Sequence, residues 1–358
     1  MKDLQPALMI LTPGFPKDEE DSTCLPPVQN FIKALNEQSP SLKIIILSFD
    51  YPFISTTYYW NNNTVLSFNG WGKRHFKKLY KWILIRRAMY TLKRNNNIIG
   101  LLSFWCGECA FLGNRFAKNN DLTNFCWIQG QDAKKENKYV SRSKTGATEL
   151  VALSDFIAFE FEKNHKIRPK HIIPIGINPA DFTGENVTRD IDIIGVGSLI
   201  PLKQYEVFIE VISKIKTDLP AIKAVLCGKG PEENKLNGLI IKYGLEKNIT
   251  LTGELPHAEI LKQMKRSKVF LHSSNYEGFG IVCIEALYAG CRVISFVQPM
   301  SEEIENWQIV KTKEEMAKKA MIILHDQKTI YTTVLPFTIK ETAKKIMQLF
   351  NYKEATNC

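Results

Sequence analysis

No stretch of the chain approaches the roughly 18 consecutive apolar residues that a membrane-spanning helix needs. The opening, Met1-Lys2-Asp3-Leu4-Gln5-Pro6, lacks the long apolar core of a secretion signal, so a cytoplasmic protein is the expectation. Cysteine is present without organisation. Cys24, Cys106, Cys109, Cys126, Cys227, Cys283, Cys291 and Cys358 fall at no framework spacing and mostly among apolar neighbours, which argues against a disulfide scaffold and for buried free thiols. Cys106-Gly107-Glu108-Cys109 has the spacing of a redox pair or half a zinc site, but no second pair or His-x-His answers it. There is no internal repeat beyond strand-helix alternation, and no low-complexity segment. Acid is missing locally: from Tyr51 to Gly107 not one Asp or Glu occurs.

What is present is enough for two ordinary domains, since 358 residues exceed what one hydrophobic core usually organises. With 44% hydrophobic and 23% charged residues the composition is that of a globular protein. The net charge of +10 is unevenly placed: Met1 to Asn178 holds 24 of the 47 basic residues but only 15 of the 37 acidic ones. The basic excess therefore belongs to the first half. Its densest part, residues 71–94, reads from Trp71 to Tyr90 as a helix whose Lys and Arg interleave with Trp, Phe and Tyr. Such a helix suits an anionic membrane surface, which is a candidate partner, or it is a sheet-packing helix with Leu79, Ile83 and Met89 turned inward. No nucleic-acid module is recognisable, and no nucleic acid partner is expected.

Short apolar runs bounded by turn residues predict strands at Ala7–Leu11, Lys43–Phe49, Ile98–Phe104, Asn124–Ile128 and Leu150–Ser154. The pattern restarts at Ile191 and continues at Ala221–Cys227, Ile249–Gly253, Val269–His272 and Arg292–Phe296. Helices are expected at Val28–Leu35, after Trp105-Cys106-Gly107-Glu108 and through Phe116, at Glu160–His165, Tyr205–Lys216 and Ile339–Phe350. In a doubly wound fold, loops at the carboxyl ends of strands line the ligand crevice, which singles out Thr12-Pro13-Gly14-Phe15-Pro16.

The most specific stretch is Ser274-Asn275-Tyr276-Glu277-Gly278-Phe279-Gly280-Ile281-Val282-Cys283-Ile284-Glu285. A strand runs into a two-glycine loop and a helix opens near Ile281. The unpaired N–H groups and dipole of a helix start favour phosphate, and glycine lets the backbone approach it. Glu285, about one turn into the helix, is placed to accept hydrogen bonds from vicinal hydroxyls such as those of ribose.

Glu-Gly-Phe-Gly-Ile-Val-x-x-Glu followed by Ala-Leu-x-Ala-Gly resembles the Glu-x7-Glu motif of retaining glycosyltransferases of family four, and the likeness runs over nearly the whole chain. The resemblance implies a GT-B fold: two Rossmann-like domains facing across a cleft, residues 1–175 binding acceptor, residues 176–336 binding a nucleotide-sugar donor, and residues 337–358 returning to the first. It implies a cytoplasmic or peripheral enzyme of cell-envelope or polysaccharide synthesis. The donor would be a UDP- or GDP-sugar and the acceptor a glycan or lipid-linked glycan. No metal is expected, fixed positive groups acting in its place. By the same resemblance Glu277 faces the donor sugar and Glu285 holds the ribose. Lys203 reaches the diphosphate, and Gly14, Gly197, Ser198, Gly228, Phe279, Gly280, Ile281 and Val282 complete the donor site. Phe15, Glu108, Gln129 and Asp132 lie on the acceptor side. His257 falls in a loop that sits beside the base in relatives, although a surface or packing role is the simpler reading.

Three positions depart from the pattern. Gln129 stands where relatives carry histidine, Ser198 where they carry arginine, and Ile175 where asparagine precedes the interdomain glycine. Glutamine can hydrogen-bond a hydroxyl but cannot act as a base. Two rival readings follow: a non-catalytic nucleotide-sugar binder of the same fold, and an NAD-dependent oxidoreductase. The second is disfavoured because Gly195-Val196-Gly197-Ser198-Leu199-Ile200 lacks the third glycine of the dinucleotide fingerprint.

Overall fold

A computed structural model describes residues 5–70, 76–183 and 187–354. The chain divides into two compact units, residues 1–175 with 339–358, and residues 176–338.

The first unit is built on an eight-stranded sheet in the order β3-β4-β2-β1-β5-β6-β7-β8, where β1 is Pro6–Gly14, β2 Lys43–Tyr51, β3 Ser55–Trp60, β4 Asn63–Phe68, β5 Asn97–Phe104, β6 Asn124–Ile128, β7 Leu150–Ala152 and β8 His171–Ile172. All neighbours are parallel except the β3-β4 hairpin. Strands covered on both faces must be apolar throughout, and Ala7 to Leu11 and Ile44 to Leu47 are buried without alternation. The covering helices are α1 (Pro26–Gln38), α2 (Phe76–Asn95), α3 (Glu108–Lys118), α4 (Tyr139–Ser143) and α5 (Asp155–His165). The helix expected at Glu160–His165 starts five residues earlier, because Ser154 leaves the strand and caps it: its Oγ accepts the N–H of Ile157 at 3.1 Å.

The second unit is a six-stranded, wholly parallel sheet ordered β11-β10-β9-β12-β13-β14, with β9 Ile191–Val196, β10 Ala224–Cys227, β11 Ile249–Gly253, β12 Ser267–His272, β13 Arg292–Ser295 and β14 Trp307–Ile309. Its helices are α6 (Tyr205–Lys216), α7 (Glu233–Lys242), α8 (His257–Lys265), α9 (Ile281–Tyr288) and α10 (Lys313–His325). Numbered by appearance, the strands run 3-2-1-4-5-6, the doubly wound order whose direction reverses between β9 and β12. The last helix, α11 (Ile339–Leu349), belongs to the first unit. It packs on α1, the Thr342 hydroxyl donates to the Pro174 carbonyl at 2.8 Å, and Phe350 meets Phe125 edge-on at 5.0 Å. The fold is therefore α/β, as expected, with two Rossmann-like units.

Candidate active site

In the second unit the loops after β9 and β12 flank the point where strand order reverses, and they carry most of the expected donor residues. After β9 the chain turns through Gly197 and the exposed Ser198 into a 3-10 turn, Pro201–Lys203. The Ser273 hydroxyl, from the loop after β12, donates to the Lys203 carbonyl at 2.7 Å and ties the two loops together. The Lys203 ammonium is paired with Oε2 of Glu277. Both side chains are largely covered, at 18% and 23% exposure, so this is a shielded ion pair rather than a surface one. His272, the last residue of β12 and only 5% exposed, places Nε2 3.3 Å from the same Oε2. Burial pushes the Glu277 carboxyl up, but His272 and the Lys203 charge outweigh it and hold it down to about 2. Glu277 is an anion over the whole working pH range.

Gly280 then caps α9 with φ +73°, a left-handed conformation costly for any other residue. The N–H groups of Ile281 and Val282 open the helix beyond it, and both residues are half-buried. Glu285 is held by His257, whose Nε2 lies 2.8 Å from Oε1; that hydrogen bond raises the imidazole's pKa against the opposing effect of burial. Expected as a surface or packing residue, His257 is instead the partner of the expected ribose-binding carboxylate.

The glycines divide by role. A Cβ on Gly228 (φ +148°) would collide with the Gly197 carbonyl, and the turns after β9 and β10 pack backbone to backbone through Gly197 N–H to Cys227 O at 3.0 Å. A Cβ on Gly197 (φ +149°) would press on the Tyr205 hydroxyl. Both glycines are thus needed by the fold itself. Phe279 is 3% exposed and meets Phe337 at 5.6 Å, so only its backbone is open to a ligand. Two buried polar atoms in this region, Ser274 Oγ and His272 Nε2, make no hydrogen bond among the described residues.

In the first unit the expected acceptor residues are mostly consumed by the structure. Phe15 is fully buried and packs edge-on against Trp60 at 4.9 Å, which removes it from any ligand surface. Gly14 has an ordinary φ and room for a side chain, a Cβ meeting Cys24 and Tyr51 at 3.5 Å. Glu108 opens α3 and is saturated: it pairs with Lys78 and, at 2.8 Å, with Lys81, and it accepts the Trp82 indole N–H at 2.9 Å. Burial raises its pKa, and these donors more than reverse that. Asp132, 5% exposed, accepts the N–H groups of Gln129 at 2.8 Å and Cys106 at 2.9 Å on one oxygen; burial nevertheless pushes its carboxyl up to about 7. It clamps the ends of β5 and β6. Gln129 is half-buried beside it, its side-chain amide 3.4 Å from the Trp127 carbonyl.

The basic aromatic stretch also divides. Trp71 to His75 lie outside the described residues. In α2, Lys81 is 3% exposed and reaches Asp50 and Glu108, and Ile85 and Met89 pack inward. Leu79 and Ile83, which could have packed with Met89, instead face out together with Phe76, Tyr80 and Tyr90.

The expectation of no metal rests on the chain having no Asp-x-Asp triplet, and that reading is wrong: Asp190-Ile191-Asp192 is one. It lies at the amino end of β9, away from the crevice loops. Asp190 takes both arms of Arg266 (Nε at 2.8 Å) and Asp192 takes Lys268 at 2.8 Å, so the triplet is spent on ion pairs. Among the described residues no group of three or more His, Cys, Asp or Glu is arranged to hold a metal ion.

Two Rossmann-like units, with charged and glycine-rich loops at the switch point of the second, define a class that comparison makes specific. Residues 180–332 match the family Glycosyl transferases group 1. Across its length the chain has the fold of sucrose-phosphate synthase from Thermosynechococcus elongatus (TM-score 0.71, 17% identity, 97% of this chain and 98% of that one) and of Anabaena HepE in complex with UDP-glucose (TM-score 0.67, 13% identity, 97% of each chain). The fold is thus GT-B, and the likeness to the group 1 family lies within its second unit. Among curated sequences the chain is 24% identical over 230 residues to the phosphatidylinositol N-acetylglucosaminyltransferase gpi3 subunit of Schizosaccharomyces pombe, covering 62% of this chain and 49% of that one. It spans about half or less of the length of the curated relatives it first matches.

Proposed function

We propose that the protein is a retaining glycosyltransferase that moves a sugar from a UDP- or GDP-sugar to a saccharide or lipid-linked glycan acceptor. One observation carries this: a shielded Lys203–Glu277 pair stands beside the α9 helix start at the switch point of the second sheet. Departure of a nucleoside diphosphate leaves cationic character on the sugar and negative charge on the phosphates. Lys203 and the N–H groups of Gly280, Ile281 and Val282 stabilise that negative charge as it develops. Glu277, ionised throughout, faces the cationic sugar, and Glu285 exchanges His257 for the ribose hydroxyls. No metal is required in this reading. The first unit binds the acceptor, with Gln129 hydrogen-bonding a hydroxyl.

The test is turnover of UDP- and GDP-sugars, with product released as nucleoside diphosphate. Glu285→Ala should raise the donor KM about tenfold or more, the loss of one or two hydrogen bonds to a charged acceptor. Unchanged donor kinetics in that variant would sink the assignment. Nucleotide-sugar binding without turnover would leave the non-catalytic reading standing instead.

The exposed face of α2 supports one refinement of the partner. Phe76, Leu79, Tyr80, Ile83 and Tyr90 are exposed, and Arg86, Arg87 and Arg94, also exposed, have no ion-pair or hydrogen-bond partner among the described residues. In this reading the face rests on an anionic membrane, where a lipid-linked acceptor resides.

A further inference from the structure

Among the described residues, Oε2 of Glu277 has two nitrogen neighbours, Lys203 Nζ, hydrogen-bonded to it, and His272 Nε2, 3.3 Å away. If the site takes a nucleotide-sugar, the reading on which this inference rests, Lys203 also has to turn toward an arriving diphosphate. A shielded carboxylate stripped of its cation is costly, and the diphosphate brings further negative charge to the same place. Both effects favour a positive charge on His272, the other basic group that contacts Glu277 among the described residues.

We infer that His272 is a positioning residue that takes up a proton from solvent as the donor diphosphate binds, replacing Lys203 as the cationic partner of Glu277 and returning the proton when the nucleotide leaves. Nothing in the residues around the motif singles this histidine out. Two features of its placement do: its ring is buried at the end of β12, and its Nε2 lies 3.3 Å from the oxygen that Lys203 would vacate. Imidazole is the side chain suited to gaining and losing a proton as its surroundings change.

Other groups facing this region limit what could mimic the effect. Tyr205, from α6, has its phenol raised first by burial and then by Glu277. The Cys227 thiol on β10 and the Cys283 thiol on α9 are raised chiefly by burial. None of the three changes charge near neutrality. Among the described residues the competitor is His257, held by Glu285, and its effect has the opposite sign: ribose displacing it from Glu285 would release a proton. The two histidines can therefore be told apart.

The experiment is calorimetric titration with UDP and GDP at pH 7.5 in PIPES, HEPES and Tris, whose ionisation enthalpies differ, so that buffer dependence counts linked protons. The His257→Gln variant should take up a proton, approaching one per nucleotide bound. His272→Leu in that background should bind with a count near zero. Because binding takes up a proton, Kd should rise with pH, by at most about tenfold per unit, and the rise should vanish in the His272 variant. Should His272→Leu fail to fold, His272→Asn, polar but not titratable, makes the same comparison. Equal proton uptake with and without His272 overturns the inference and leaves the donor reading intact. Binding of neither nucleotide to the wild type overturns the donor reading and the inference with it.

Discussion

At the ends of β5 and β6 in the first unit, Glu108 and Asp132 are engaged with neighbours inside the fold. At the ends of β9 and β12 in the second, Lys203 and Glu277 engage each other and leave Ser274 Oγ and His272 Nε2 without hydrogen bonds. The two sheets share the order 3-2-1-4 about their first strand once the antiparallel hairpin strand is set aside, so topology does not make the difference. What differs is how loop residues are used. A carboxylate that accepts two lysines and an indole is a structural part, whereas the Lys203–Glu277 pair is, in the proposed function, one that an incoming anion divides.

The sharpest way to break this comparison is to remove a charge from each unit. Lys203→Ala should lower kcat by about 10²–10³, the range for losing one preorganised group that stabilises developing charge. Glu108→Ala should act instead on stability, costing about 3 kcal/mol because Lys78 and Lys81 lose a shared partner, with the folded fraction turning over normally. Denaturant midpoints beside single-substrate kinetics would show it; the reverse pattern would exchange the roles of the two units.

Glycine substitution sharpens the same contrast. Gly228→Ala combines φ +148° with a Cβ collision against the Gly197 carbonyl, and a cost of about 3 kcal/mol is expected from strain of that kind. Gly14→Ala, with ordinary φ and contacts of 3.5 Å, should change stability by less than about 1 kcal/mol. Chemical unfolding of both variants checks the ranking.

Asp132 gives a pH signature that the second unit does not share. Its carboxyl is raised from 3.8 to about 7 in the folded state, so the fold favours the neutral acid. That contribution is complete below the ordinary value and is lost as pH rises through 7. Asp132→Asn keeps an oxygen for the two N–H donors without the charge. Relative to this variant, the wild type should lose about 3 kcal/mol of stability between pH 5 and 8. Glu277 runs the other way. Its carboxyl is depressed to about 2, so its contribution is present above the ordinary carboxylate range and fades only as pH falls toward 2. A flat Asp132→Asn difference across pH would remove the contrast.

Much of the fold was legible because parallel strands covered on both faces announce themselves as uninterrupted apolar runs, as Ile44-Ile45-Ile46-Leu47 does. The β3-β4 hairpin was not read, since its edge strand Ser55–Trp60 alternates weakly and carries polar residues on an exposed face. At the site, the Gly280 helix start was visible from spacing. Its histidines were less so: His257 enters only through the resemblance, without its link to Glu285, and His272 lies inside an apolar strand, and each meets its glutamate only after the sheet is assembled. Phe15 was misread for the complementary reason, since a residue following a strand-end glycine can equally turn into the core, and here Trp60 from the unread hairpin receives it.

The smallest effect concerns the outward face of the first unit. Lys78 and Lys81 are spoken for by Glu108 and Asp50, so the basic character that α2 offers a partner lies in Lys77, Arg86, Arg87 and Arg94 beside the exposed Phe76, Tyr80 and Ile83. Each arginine near an anionic surface is worth about 1 kcal/mol, so Arg87→Glu with Arg94→Glu should reduce binding to vesicles containing phosphatidylglycerol by at least about tenfold, with donor turnover on a soluble acceptor unaffected. Tyr80→Ala with Ile83→Ala should weaken binding to the same vesicles with less dependence on salt, because apolar insertion is not screened. Vesicle flotation at two salt concentrations separates the contributions. Equal binding to neutral and anionic vesicles by the wild type would mean that the first unit's excess of positive charge serves something other than a membrane.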